Sequence, residues 1–74
     1  MNRDEYWKHL ESEHAAAWRF CRRLVSSREE ADDLYQDAVI RGVEKCDSLR
    51  DGGAFRPWFY RLIVNLFKNQ RRQP

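Results

Sequence analysis

The spacing of the apolar residues restricts this chain to helices. Large apolar side chains recur every three or four positions along almost its whole length, and no segment alternates with the two-residue period of a strand. Trp7, Leu10, His14, Ala17, Trp18, Cys21, Leu24 and Val25 define one face of a first helix over residues 4–25. "SSREEADD" follows. Ser27 with Glu30 three positions later forms a capping box, and the early acids suit the positive end of the helix dipole, so a second helix is predicted over 28–46. "DSLRDGGAF" interrupts it with adjacent glycines. Pro57 then opens a third helix over 57–71, because the amide it lacks has no partner in a first turn anyway. The expectation is an all-α bundle of three main helices with a glycine-containing loop before the last.

With 74 residues there is room for one domain, 1–74, and one small core. At 42% hydrophobic and 35% charged residues the chain is expected to fold and not to be disordered. The net charge of +2 conceals a gradient. Residues 26–51 hold four basic and eight acidic side chains, whereas residues 52–74 hold five basic ones (Arg56, Arg61, Lys68, Arg71, Arg72) and no acid. An acidic middle beside a basic end suggests two partners, or one partner with two faces. The first 20 residues lack the apolar core of a secretory signal, and no apolar run approaches the roughly 20 residues of a membrane span. Cys21 and Cys46 stand alone, and His9 and His14 complete no metal spacing, so the reading is two buried thiols in a reducing cytoplasm, with no metal or other cofactor. Neither a nucleophile–base pair nor a phosphate-cradling glycine loop is present, which argues against an enzyme and a small-molecule substrate.

Projected at about 100° per residue, the second helix places Ala31, Leu34, Tyr35, Ala38, Val39, Gly42 and Cys46 toward a core. Its other side carries Asp33, Gln36, Asp37, Ile40 and Glu44, with Arg41 at the edge. A charged stripe is most often simply solvated. Ile40 in its middle fits a protein-binding patch equally well, and spacing leaves both readings open. On the third helix Phe59, Leu62, Ile63, Leu66 and Phe67 form the core side. Arg61, Asn65, Lys68 and Arg72 fall in a narrow stripe bordered by Trp58. Cations with an amide and a flanking aromatic suit a phosphate track beside a base-stacking surface. A membrane surface is the rival for such a helix, and the acidic second helix weighs against it.

"REEADDLYQDAVIRGVEKCDSLRDGGAFRPWFYRLIVNLFKNQRR" resembles region 2 of the extracytoplasmic-function (ECF) sigma factors of bacterial RNA polymerase. The matching residues are Ala31, Asp33, Leu34, Gln36, Asp37 and Arg41, the loop Asp47–Arg50, and then Phe55, Arg56, Trp58 to Leu62, and Asn65. The resemblance covers residues 28–72, and the preceding helix fits the family's first segment.

The resemblance implies a domain that directs core RNA polymerase to promoters. The face Asp33, Gln36, Asp37, Ile40, Arg41 and Glu44 would bind the clamp helices of the largest polymerase subunit. Ser48, Leu49, Arg50, Asp51, Phe55 and Arg56, with the stripe Trp58, Arg61, Asn65, Lys68 and Arg72, would hold the non-template strand of the melted −10 element. Trp58 and Tyr60 have a plainer alternative role in fixing the loop to the core. An anti-sigma factor is an expected further partner. Val39 stands where many relatives carry a larger aromatic. Ile63 and Val64 stand where many carry a small residue and an arginine, a loss that would either weaken phosphate contact or shift it to Lys68. The second region that reads the upstream element is not in these 74 residues, so an excised domain or a stand-alone form is expected. The alternative function is a helical module or decoy that binds polymerase or an anti-sigma protein without reading DNA.

Overall fold

The computed structural model describes residues 1–72, the side chains of 71 and 72 excepted. Its elements are α1 (Arg3–Leu24), α2 (Arg28–Lys45) and α3 (Phe55–Arg72), with two 3-10 turns, Cys46–Ser48 and Gly52–Ala54, between α2 and α3. The bundle is therefore all-α, as the periodicity predicts, and no strand occurs among the described residues.

Each helix starts where a side chain can satisfy free amides. Asn2 Oδ1 accepts from the Glu5 amide at 2.8 Å, a cap the apolar period does not reveal, and α1 begins at Arg3. Ser27 Oγ accepts from the Glu30 amide at 3.1 Å, as the capping box requires. Asp51 Oδ1 accepts from the Gly53 amide at 2.9 Å and caps the short turn that leads into α3. Pro57 is the third residue of α3, still within the first turn.

Helices α1 and α2 run antiparallel, tied by Trp18 Nε1 to Asp32 (2.7 Å), His14 Nδ1 to Tyr35 (2.7 Å) and Tyr6 Oη donating to the Val39 carbonyl (2.8 Å). Helix α3 lies across both. Tyr60 stacks on Phe20 of α1 at 4.6 Å, and Phe59 meets Tyr35 of α2 edge-on at 6.3 Å. The core contains Tyr6, Leu10, Ala17, Cys21, Ala31, Leu34, Tyr35, Ala38, Cys46, Leu49, Phe55, Phe59 and Ile63. Phe55 and Phe59 stack one turn apart at 5.4 Å, so the first turn of α3 is a core element.

The apolar face of α1 differs from the expected one at its start. Trp7 is 47% exposed, and Tyr6 takes the buried position, fully enclosed. The reason is space across the interface: a Cβ on Gly42 would lie 2.3 Å from the Tyr6 hydroxyl, so that glycine admits the phenol. The loop differs too. No described glycine has a positive φ; the helix is broken by the two 3-10 turns and an extended stretch between them. Gly52 lies against His9, which in turn stacks on Phe55 at 5.3 Å. The terminal ammonium of Met1 donates to the Leu49 carbonyl, so the start of α1 holds this loop at two points.

Candidate functional site

Two surfaces carry side chains that the core does not use. The first lies on α2. Asp33, Gln36, Asp37, Ile40, Arg41 and Glu44 are all exposed, and Ile40 keeps 58% of its surface bare. Helical spacing makes them neighbours, because residues three and four apart lie about 5–6 Å from each other at Cβ. Ile40 is thus an apolar point among carboxylates and an amide. Asp37 Oδ2 also accepts from Gln70 Nε2 of α3 at 3.3 Å, so one edge of this face meets the last turns of α3.

The second surface lies on α3. Arg61, Asn65 and Lys68 are exposed, and none of the three makes a hydrogen bond or ion pair to another described residue. The side chain of Arg72, the fourth member of the stripe, lies outside the described residues. Trp58 at the border is half-buried; its ring meets Tyr6 edge-on at 6.4 Å and Phe55 at 5.9 Å. It anchors the loop-to-helix junction while keeping part of the indole open. Tyr60 is spent on the stack with Phe20.

The remaining sequence candidates separate. Leu49 and Phe55 are buried, at 8% and 2% exposure, so they hold the loop from inside and present no side chain to a ligand. Asp51 is engaged as a cap, and Ser48 Oγ donates to the Lys45 carbonyl at 2.7 Å. Arg50 is exposed on the loop. Arg56 does not join the stripe. It precedes Arg61 by five residues, about 140° around the helix, and forms a two-pronged pair with Glu13 of α1, Nε to Oε2 at 2.9 Å and Nη2 to Oε1 at 3.0 Å. The Glu13 carboxylate pushes the guanidinium pKa further up. Only the position of Glu13 on the α3-facing edge of α1 could have signalled this pair, and that edge is not defined until α3 is placed.

Burial pushes the Cys21 thiol up to about 11 and the Tyr35 phenol up to about 12, with the Tyr6 phenol raised further still for the same reason. All three stay protonated near neutral pH and serve as packing groups. Both cysteines are free and buried. Among the described residues no three His, Cys, Asp or Glu side chains converge in a way that could hold a metal ion, and no helix is long and apolar enough to cross a membrane.

The chain is similar to known proteins. The Sigma-70 region 2 family matches residues 9–73. The ECF RNA polymerase sigma factor SigW of Bacillus subtilis is 35% identical over 49 residues, 66% of this chain and 26% of that protein. The RNA polymerase sigma-H factor of Pseudomonas aeruginosa is 36% identical over 47 residues, 64% of this chain and 24% of that protein. The ECF RNA polymerase sigma factor SigE of Mycolicibacterium smegmatis is 31% identical over 68 residues, 90% of this chain and 26% of that protein. The chain thus spans about a quarter of the length of these relatives. No solved structure gives a significant match.

Proposed function

From the premise that this chain belongs to the Sigma-70 region 2 family, we propose that it is the region 2 domain of an ECF-type sigma factor and acts in transcription initiation. It performs no catalysis. In this reading the α2 face docks on the clamp helices of the largest subunit of core RNA polymerase, in the cytoplasm where the polymerase works. The loop and α3 hold the non-template strand of the promoter −10 element, and an anti-sigma factor regulates the domain.

The observation that carries the reading is the pair of unused surfaces. Ile40, 58% exposed among Asp33, Gln36, Asp37 and Glu44, is not part of the core. A buried apolar anchor inside a polar rim is how a protein interface concentrates its energy. The exposed row Arg61, Asn65 and Lys68 supplies unpaired cations for phosphates, and the open part of Trp58 supplies a flat surface for an unstacked base. In this reading Arg50, exposed on the loop, helps to select the base.

The test is a titration of labelled non-template −10 strand against the domain, free and joined to the clamp helices. Binding of the −10 strand in preference to a scrambled strand is expected. Equal binding of both strands, or none at low salt, would instead favour a helical module that binds polymerase without reading DNA.

A further inference from the structure

The loop between α2 and α3 is anchored at its ends and open between them. Leu49 and Phe55 bury their side chains, whereas Arg50, Asp51 and Gly53 are exposed. The turn closes on itself: Asp51 Oδ1 accepts from the Gly53 amide at 2.9 Å, and the Asp51 carbonyl accepts from the Ala54 amide at 3.0 Å. Those bonds set the shape of the turn but not its distance from the helices. His9 of α1 supplies that distance. Its imidazole is half-buried and stacks on Phe55, with ring centroids 5.3 Å apart and an interplanar angle of 17°. Phe55 in turn stacks on Phe59 at 5.4 Å and meets Tyr6 at 5.9 Å, so the imidazole rests on close-packed core rings. The other neighbour of the imidazole is the loop backbone. A Cβ on Gly52 would lie 2.8 Å from His9 Nε2 and 3.3 Å from Cε1. The φ of Gly52 is not positive, so this glycine provides room for the ring and not an unusual backbone angle. The imidazole makes no hydrogen bond to another described residue, which makes the contact one of shape.

We infer that His9 is a positioning residue for base selection: its ring is the stop against which Gly52 rests, and it sets how far Arg50 and the turn after it stand from the start of α3. This rests on the reading that the loop and α3 hold the −10 strand, and extends it to a residue of α1 to which the family resemblance assigns no role. Arg50 precedes Gly52 by two residues and is exposed, so the support under Gly52 limits how far that side chain can travel. Groups that select a base must be held in place, because a loosely held site accepts more than one. A row of cations on phosphates has no such requirement. Removing the ring therefore blurs the choice of base and spares the phosphate contacts.

The experiment is a titration of labelled −10 strand and its single-base variants against the 74-residue chain, at several salt concentrations. The wild type, His9→Ala, Gly52→Ala and the double variant are compared, each first checked for helical content by circular dichroism. His9→Ala is expected to reduce the preference for the −10 strand over its base variants by roughly threefold or more, with the salt slope unchanged. Gly52→Ala pushes a methyl group into the ring and should lower the same preference. With alanine at position 9 that methyl group has room and costs little, so the two changes are not additive. If the wild type does not prefer the −10 strand, the strand-holding reading falls and takes this inference with it. If the wild type shows the preference and His9→Ala keeps it, losing only stability, the ring is a packing group and the inference is overturned while the reading stands. If both single variants lose the preference and their effects simply add, His9 does not act through Gly52, and the inference is likewise overturned.

Discussion

Gly42 is the position where one methyl group tests the packing most directly. In the interior of α2, replacing glycine by alanine should on propensity alone stabilise the helix by about 1 kcal/mol. The structure predicts the opposite sign. A Cβ at position 42 would lie 2.3 Å from the Tyr6 hydroxyl and 2.9 Å from its Cε1 and Cζ. Tyr6 cannot swing away, because it is fully buried and donates to the Val39 carbonyl at 2.8 Å. Overpacking of this kind costs about 1–3 kcal/mol, and displacing the hydroxyl from its acceptor leaves a buried polar group unsatisfied at a further 1–3 kcal/mol, roughly. Set against the propensity gain, Gly42→Ala should lose about 1–5 kcal/mol, with a fall in Tm of roughly 4–8 °C for each kcal/mol in a domain of this size. Urea and thermal unfolding of Gly42→Ala, Tyr6→Phe and the double variant measure it. Tyr6→Phe alone costs about 1 kcal/mol for the lost hydrogen bond. It also removes the atom that clashes worst, so the double variant should be more stable than the two single losses added together, by about 0.5–2 kcal/mol. A Gly42→Ala variant as stable as wild type, or strict additivity in the cycle, would refute the close approach of Tyr6 to α2.

On α3, Arg61→Ala and Lys68→Ala should each weaken strand binding alike for every sequence and flatten its salt dependence by a slope of about 0.7; titrations at several salt concentrations read this directly. Arg56→Ala should leave that slope unchanged, because Arg56 is held by Glu13 on the α1 side of the helix; a loss equal to that of Arg61→Ala would return Arg56 to the strand-binding set. Arg50→Ala should change which base is preferred, read by base-by-base substitution of the −10 strand. Stability should fall with alkaline pH. The Cys21 thiol rises from its ordinary 9.0 to about 11 and the Tyr35 phenol from 10.0 to about 12 in the folded chain, so the unfolded chain releases these protons first. Their contribution is complete below pH 9 and is lost progressively between about pH 9 and 12, and Cys21→Ala should make the early part of that decline shallower in a urea series.

Period, caps and breakers in the sequence are local properties, and they determined the three helices to within two residues. Ser27 caps α2 because a hydroxyl three residues before an amide can reach it wherever the helix later packs. The acidic α2 face and the Arg61, Asn65 and Lys68 stripe were legible for the same reason, since residues on one helix keep their relative angles in any fold. The tertiary structure decided what lies between helices. Tyr6 and Trp7 are adjacent, both aromatic, and differ by about 100° on α1; only the presence of Gly42 opposite makes Tyr6 the buried one and leaves Trp7 exposed. Arg56 resembles its basic neighbours in sequence, and only the approach of α1 brings Glu13 to it. Leu49 and Phe55 lie in a loop and at a helix start, where period says nothing, and burial against the start of α1 turned them from candidate contacts into core. A side chain's angle on its own helix follows from the covalent chain, whereas its neighbour across a helix interface follows from how three surfaces close-pack, and no local pattern encodes that.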